Sequence, residues 1–182
     1  MVQLQLALER FFQGFPGIAA LMETAWGWPI LECIHFIGLT LLFGSIAAWD
    51  LRLLGLAKDV PIASFHRLVP YAVAGFAINA ASGMFFLMTT PNQYIYNPAF
   101  HLKMLCVALA GANVLVFYVT MFRRLVRLGP GARGPAFARF SGLASLVLWS
   151  VVIICGRMIT FYRPEVCRPG DPIGFVATCI VR

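Results

Sequence analysis

Four stretches of about twenty residues each, roughly 29–49, 68–88, 100–121 and 140–161, are overwhelmingly apolar. No other feature limits the possible folds as strongly. An α-helix rises about 1.5 Å per residue, so about twenty apolar residues cross the roughly 30 Å hydrocarbon core of a bilayer. Lipid offers no partner to an open backbone, which leaves helices and closed barrels. The alternating segments of about ten residues that build a barrel are absent. Each stretch is therefore expected to be a transmembrane helix, and the chain an all-α, integral membrane four-helix bundle. Composition agrees: 12% of the residues are charged, against about 25% in soluble domains.

Proline, glycine and asparagine punctuate the gaps. Asp59, Pro61 and Ser64 lie in the first gap; Pro91, Asn92, Asn97 and Pro98 in the second; Gly129, Pro130, Gly131, Gly134 and Pro135 in the third. Such residues mark turns, and short connections make neighbouring helices antiparallel. The basic residues then orient the bundle. Arg52, Lys58 and Arg67 fall between stretches one and two, and Arg123, Arg124, Arg127, Arg133 and Arg139 between three and four, while 89–99 carries no charge. Basic loops stay in the cytoplasm, so both termini are expected on the outer face. The net charge of +7 is this topological signal, and nucleic-acid binding is excluded on that ground. No basic, cleavable leader precedes the first stretch, which is expected to serve as its own membrane signal. The expected division is an interfacial amphipathic segment over 1–28, the transmembrane bundle over 29–162 and a short extracytoplasmic tail over 163–182. Val2 to Phe12 is too short to span and is expected to lie in the interface, with Trp26 and Trp28 at headgroup level.

Of five cysteines, Cys33, Cys106 and Cys155 fall inside apolar stretches, where a thiol packs as a small apolar group. Cys167 and Cys179 fall in the tail. The oxidising compartment expected there favours a disulfide between them.

Ionisable groups inside a membrane are costly and mark function. Glu32, His35, His101, Lys103 and Arg157 all fall toward the expected outer ends of their helices. His66 opens the second stretch at the opposite end and cannot reach them. Two imidazoles on different helices at similar depth suit a six-coordinate b-type haem, with His35 and His101 as metal ligands. Arg157 and Lys103 would then face the propionates. Gly75, Asn79 and Gly83 form a small-residue face that either admits the macrocycle or is a close-packing seam. Other structural alternatives stand beside this reading. Glu32 and Arg157 can form an ion pair between helices one and four, Asn79 and Asn113 can bond to each other, and His101 can be an interfacial residue. His101 and Lys103 are about 200° apart on a helix, so only one faces the core.

The stretches Leu31-Glu32-Cys33-Ile34-His35-Phe36-Ile37-Gly38, Asp50-Leu51-Arg52-Leu53-Leu54-Gly55, Asn97-Pro98-Ala99-Phe100-His101-Leu102-Lys103 and Gly156-Arg157 carry a resemblance. The chain resembles uncharacterised four-helix bacterial inner-membrane proteins, which are similar to the copper-resistance-D-like domain and to HemJ-type protoporphyrinogen oxidases. The HemJ-type resemblance implies a histidine and a later lysine around haem, here His35 and Lys103. The copper-resistance-D-like resemblance implies metal handling, yet Met84, Met88 and Met104 are scattered and no Met- or His-rich cluster suits copper. The expected role is a multi-pass subunit of the bacterial inner membrane with both termini periplasmic. It would hold haem b near the outer face and pass electrons between quinones and a periplasmic partner. The alternatives are a haemless accessory subunit of a larger membrane complex and a HemJ-like porphyrinogen oxidase.

Overall fold

The computed structural model describes residues 2–125, 134–168 and 177–180. The expected turn residues Gly129, Pro130 and Gly131, and the basic residues Arg127 and Arg133, lie outside them. Two helices come first, α1 (Val2–Gln13) and α2 (Pro16–Met22). Pro16 opens α2, where its fixed φ fits and its missing N–H costs nothing. Four helices long and apolar enough to cross a membrane follow: span one (Gly27–Leu54), span two (Ile62–Thr89), span three (Pro98–Leu125) and span four (Ala136–Met158).

Span one runs five residues past its expected end. Charge alone does not break a helix, and Asp50 and Arg52 stay in the backbone ladder. The helix stops at Gly55, whose φ of 105° is the left-handed cap that glycine adopts without a Cβ clash. Arg52 is not a loop charge. It is 2% exposed; Nε donates to Val60 O at 2.8 Å and Nη2 to Lys58 O at 3.1 Å. The guanidinium thus holds the short connection 55–61 against the helix end. Span three starts where Asn97 caps the backbone N–H of Ala99 at 3.0 Å and Pro98 follows. Near its other end it widens into a π-helical turn, Tyr118–Phe122.

Span one packs on spans two and four, and span four packs on span three; spans two and three share at most marginal contact. The order around the bundle is therefore two, one, four, three. Gly38 and Gly75 let spans one and two come close: a Cβ on Gly75 would lie 2.5 Å from Leu42 N and 2.6 Å from Gly38 O. Spans three and four are clasped by polar groups. Asn113 Nδ2 donates to Ser141 O at 3.0 Å, and Ser141 Oγ donates to Asn113 Oδ1 at 2.9 Å. Asn79 and Asn113 therefore do not bond to each other, because their helices stand at opposite ends of the order. Asn79 Nδ2 donates instead to Gly75 O of its own helix at 3.0 Å.

A cap closes the end of the bundle that carries both termini. Gln5 is 5% exposed. Its Nε2 donates to Ile95 O and Ala177 O, both at 3.1 Å, and its Oε1 accepts from Ala177 N at 3.0 Å. Phe12, Ile95, Tyr96 and Ala177 form an apolar cluster around this clamp. Asn97 Nδ2 donates to Ile159 O and Tyr162 O, each at 3.2 Å, tying the end of span four to the loop between spans two and three. Cys167 and Cys179 are joined by a disulfide, and Val166 bridges Ile180 in parallel alongside it. Pro169, Gly170 and Pro172 lie outside the described residues.

Candidate functional site

Two polar regions interrupt the apolar interior. The first lies in the half of the bundle nearer the termini. His35 projects from span one toward span two, where Nδ1 meets Ser82 Oγ at 2.7 Å. That hydroxyl donates to Ile78 O at 2.7 Å, so the proton of the contact belongs to His35 Nδ1 and Nε2 keeps its lone pair. Phe86 lies edge-on to the ring, centroids 5.7 Å apart.

His101 does not join His35. Its Nε2 contacts Ile95 O at 2.8 Å, and a carbonyl only accepts, so that nitrogen carries its proton. The ring is held against the loop between spans two and three. Lys103 takes the inward position, on one stripe with the buried Cys106, Ala110 and Phe117. Its Nζ stands 3.5 Å from where a Cβ on Gly156 of span four would be. The sequence left open which residue turns inward; the packing selects Lys103.

The other expected members of the site scatter. Arg157 is on the exposed face of span four, with its guanidinium carbon 5.2 Å from the Phe161 ring centroid. Glu32 is exposed as well and accepts from Trp28 Nε1 at 3.1 Å. Both point away from the interior. The expected Glu32–Arg157 ion pair is not formed; among the described residues the ion pair present is Arg168 with Glu165, at 3.8 Å. Gly75 is filled by the backbone of span one and belongs to a packing seam with no space for a macrocycle. Gly83 has open space within 4 Å, so it is not part of that seam. The structure does not bring His35 and His101 together: His101 Nε2 is engaged by Ile95 O, and Arg157 faces out. Among the described residues, no three His, Cys, Asp or Glu side chains converge as a metal site. Tyr94, in the loop between spans two and three, is pushed up to about 12 by burial and by the charge of Glu32, so it stays a neutral phenol.

The second region was not expected from the sequence. Where spans two and three fail to close, an apolar groove of about 330 Å³ opens in the half of the bundle nearer the basic connections. Volumes of this order hold small molecules. Spans one and four floor it with Leu42, Trp49, Asp50, Ser145 and Trp149, and spans two and three wall it with residues such as Ala72, Phe76, Gly111, Val114 and Tyr118. The π-helical turn begins at Tyr118, and such turns recur at functional sites. Next to this aromatic end His66 packs among Trp49, Tyr118 and Phe122.

Two buried side chains of the groove floor each hold an atom without a partner, although the Asp50 carboxyl also meets Ser145. Asp50 is 4% exposed and Trp149 is 6% exposed, yet Asp50 Oδ2 and Trp149 Nε1 have no hydrogen-bond partner. A buried orphan costs about 1–3 kcal/mol, and ionisable groups inside a membrane mark function. Sequence reasoning missed Asp50 because it ended span one at Trp49. The signal was present: Leu42, Ile46, Trp49 or Asp50, and Leu53 recur at helical spacing, which carries the inward face past the aspartate.

No curated protein and no solved structure matches this chain. The likeness to copper-resistance-D-like and HemJ-type proteins therefore finds no support there. Residues 23–162, well over half of the chain and including all four spans, match one uncharacterised family. The match leaves α1 and the disulfide-bonded tail outside it. The chain belongs to DUF6644, a family of unknown function.

Proposed function

We propose that this protein is a multi-pass subunit of the bacterial inner membrane that takes a lipid-soluble small molecule sideways from the bilayer into the groove between spans two and three. One observation carries the reading: the lateral, apolar groove has an unsatisfied buried carboxyl oxygen in its floor. Apolar walls accept a tail or ring, and a few placed polar groups fix a head. The basic residues around the connections between spans one and two and between three and four support periplasmic termini. The groove then sits in the cytoplasmic half of the membrane. The cap of α1, the loop 90–97 and the disulfide-bonded tail faces the periplasm, where a partner subunit would dock.

The reading is tested by photolabelling protein in vesicles with a lipophilic diazirine. Saturable adducts are expected on groove residues of spans two and three, within 69–76 and 107–118. Adducts spread evenly over outward-facing residues such as Leu115 and Val119, without saturation, would contradict it.

A second reading keeps haem. It is favoured by Lys103, which stands inward toward Gly156 of span four. His35 Nε2 and a deprotonated Lys103 would be the ligands, and the haem would supply one-electron chemistry. Reconstitution with haem should then give a Soret band that His35→Ala and Lys103→Ala abolish and His101→Ala leaves in place. Absence of the band in the reconstituted wild type would sink this reading.

A further inference from the structure

We infer that the groove takes a lipophilic cation, an apolar tail ending in a quaternary ammonium head, with Asp50 as the counter-charge and aromatic side chains lining the head. The inference rests on the proposed groove function and names its ligand chemistry.

Charge separates the classes of ligand. Among the described residues, Asp50 is the one acid that lines the groove, and no Lys, Arg or His lines it. Ser145 meets the carboxyl but brings no charge. Arg52, two residues on, is spent on the carbonyls of Val60 and Lys58. The ion pair of Arg168 with Glu165 lies in the tail. Asp50 Oδ2 is itself buried, and no ligand bond to that atom is required. In a low-dielectric interior the attraction between opposite charges persists over several ångströms. Burying a carboxylate without a counter-charge is costly, and a cation in the groove brings the counter-charge that Asp50 lacks. A neutral lipophile brings none. An anionic one, or the phosphate of a phospholipid, adds a like charge that nothing in the lining balances.

The lining suits the same head. Trp49 precedes Asp50 in the chain, and Trp49, Phe117 and Tyr118 all line the groove. They form one run of contacting rings, with successive centroids 6.2 Å and 6.0 Å apart. Aromatic rings attract cations, and a quaternary ammonium has no N–H that would need an acceptor in this apolar site. The tail has its own path. Leu42 lies eight residues before Asp50 on span one, about 12 Å at 1.5 Å per residue. The groove reaches it past Ile46 and Ala72. The head then lies toward the basic connections and the tail toward the middle of the membrane.

The test is equilibrium binding of two radiolabelled probes of nearly one shape to the full-length protein in nanodiscs, with binding to empty nanodiscs subtracted. One is decyltrimethylammonium; the other is 2,2-dimethyldodecane, in which carbon replaces the charged nitrogen. The cation is expected to bind at least about ten-fold tighter. Asp50→Asn should weaken it about ten-fold and Tyr118→Leu about three-fold. Both should leave the uncharged probe within about two-fold of wild type. Should Asp50→Asn not fold, Tyr118→Leu decides alone, on the ratio of the two probes. If the cation binds no tighter than its isostere, or neither substitution lowers that preference, the cation assignment is wrong while the groove stands. If neither probe binds saturably, or filling the groove with Gly111→Trp displaces neither, the groove reading itself fails and takes this inference with it.

Discussion

Replacing Gly75 with leucine is expected to unseat span two from span one. The Cβ alone would sit 2.5 Å from Leu42 N and 2.6 Å from Gly38 O. Both obstacles are backbone, so no rotamer change relieves them and the helices must separate. Overpacking a core costs about 1–3 kcal/mol where side chains can adjust; here about 3 kcal/mol or more is expected. For a chain of this size about 1 kcal/mol moves the melting midpoint by roughly 2–4 °C, so Gly75→Leu should lower it by about 10 °C in detergent. Gly83→Leu is the control. It lies on the same helix, eight residues on, and its Cβ meets nothing within 4 Å. Its midpoint should stay within about 3 °C of wild type. Equal losses from the two substitutions would mean that the Gly38–Gly75 crossing is not what sets the distance between these helices.

The same crossing explains part of what the sequence could and could not reveal. Four apolar stretches, separated by turn residues and unequally flanked by arginine, are a one-dimensional signal, and four helices of spanning length follow from it. The order two, one, four, three is not one-dimensional. It depends on which small residues face each other, and Gly75 and Gly83 look alike in sequence although only Gly75 meets a backbone. Depth was legible for His35, His101, Lys103 and Arg157, since it follows from counting along a helix. Direction was not. Lys103 turns inward because it shares a stripe with Cys106 and Ala110, whereas His101, at the start of its helix, finds Ile95 O in the adjoining loop first. Arg157 is one residue beyond the inward Cys155 and Gly156, and that single step places it on the exposed face.

Asp50 shows the opposite error. This charged residue falls just beyond the expected end of the first stretch at Trp49, yet the helix continues until Gly55 ends it. Burial of that carboxyl follows from Gly142 of span four, where a Cβ would lie 3.3 Å from Asp50 O. The close approach of spans one and four closes over Asp50, a residue of the groove floor. The clasp of Asn113 with Ser141 holds span three to span four on the other side, so the opening remains between spans two and three.

The central claim is that a lipid-soluble molecule occupies that opening, and filling it is the most direct challenge. Gly111 lines the groove, and a Cβ there meets nothing within 4 Å. Gly111→Trp therefore adds an indole to the cavity without forcing the helices apart, and the melting midpoint should hold. Only the space for a ligand is lost. The indole takes up a large share of a cavity of about 330 Å³ and competes with a ligand for the rest. Organic extracts of wild-type protein, purified in mild detergent and analysed by mass spectrometry, should contain a lipophile near one per chain, and extracts of Gly111→Trp should contain it at least about ten-fold less. Equal amounts of the same lipophile in both extracts, with both proteins folded, would contradict the account.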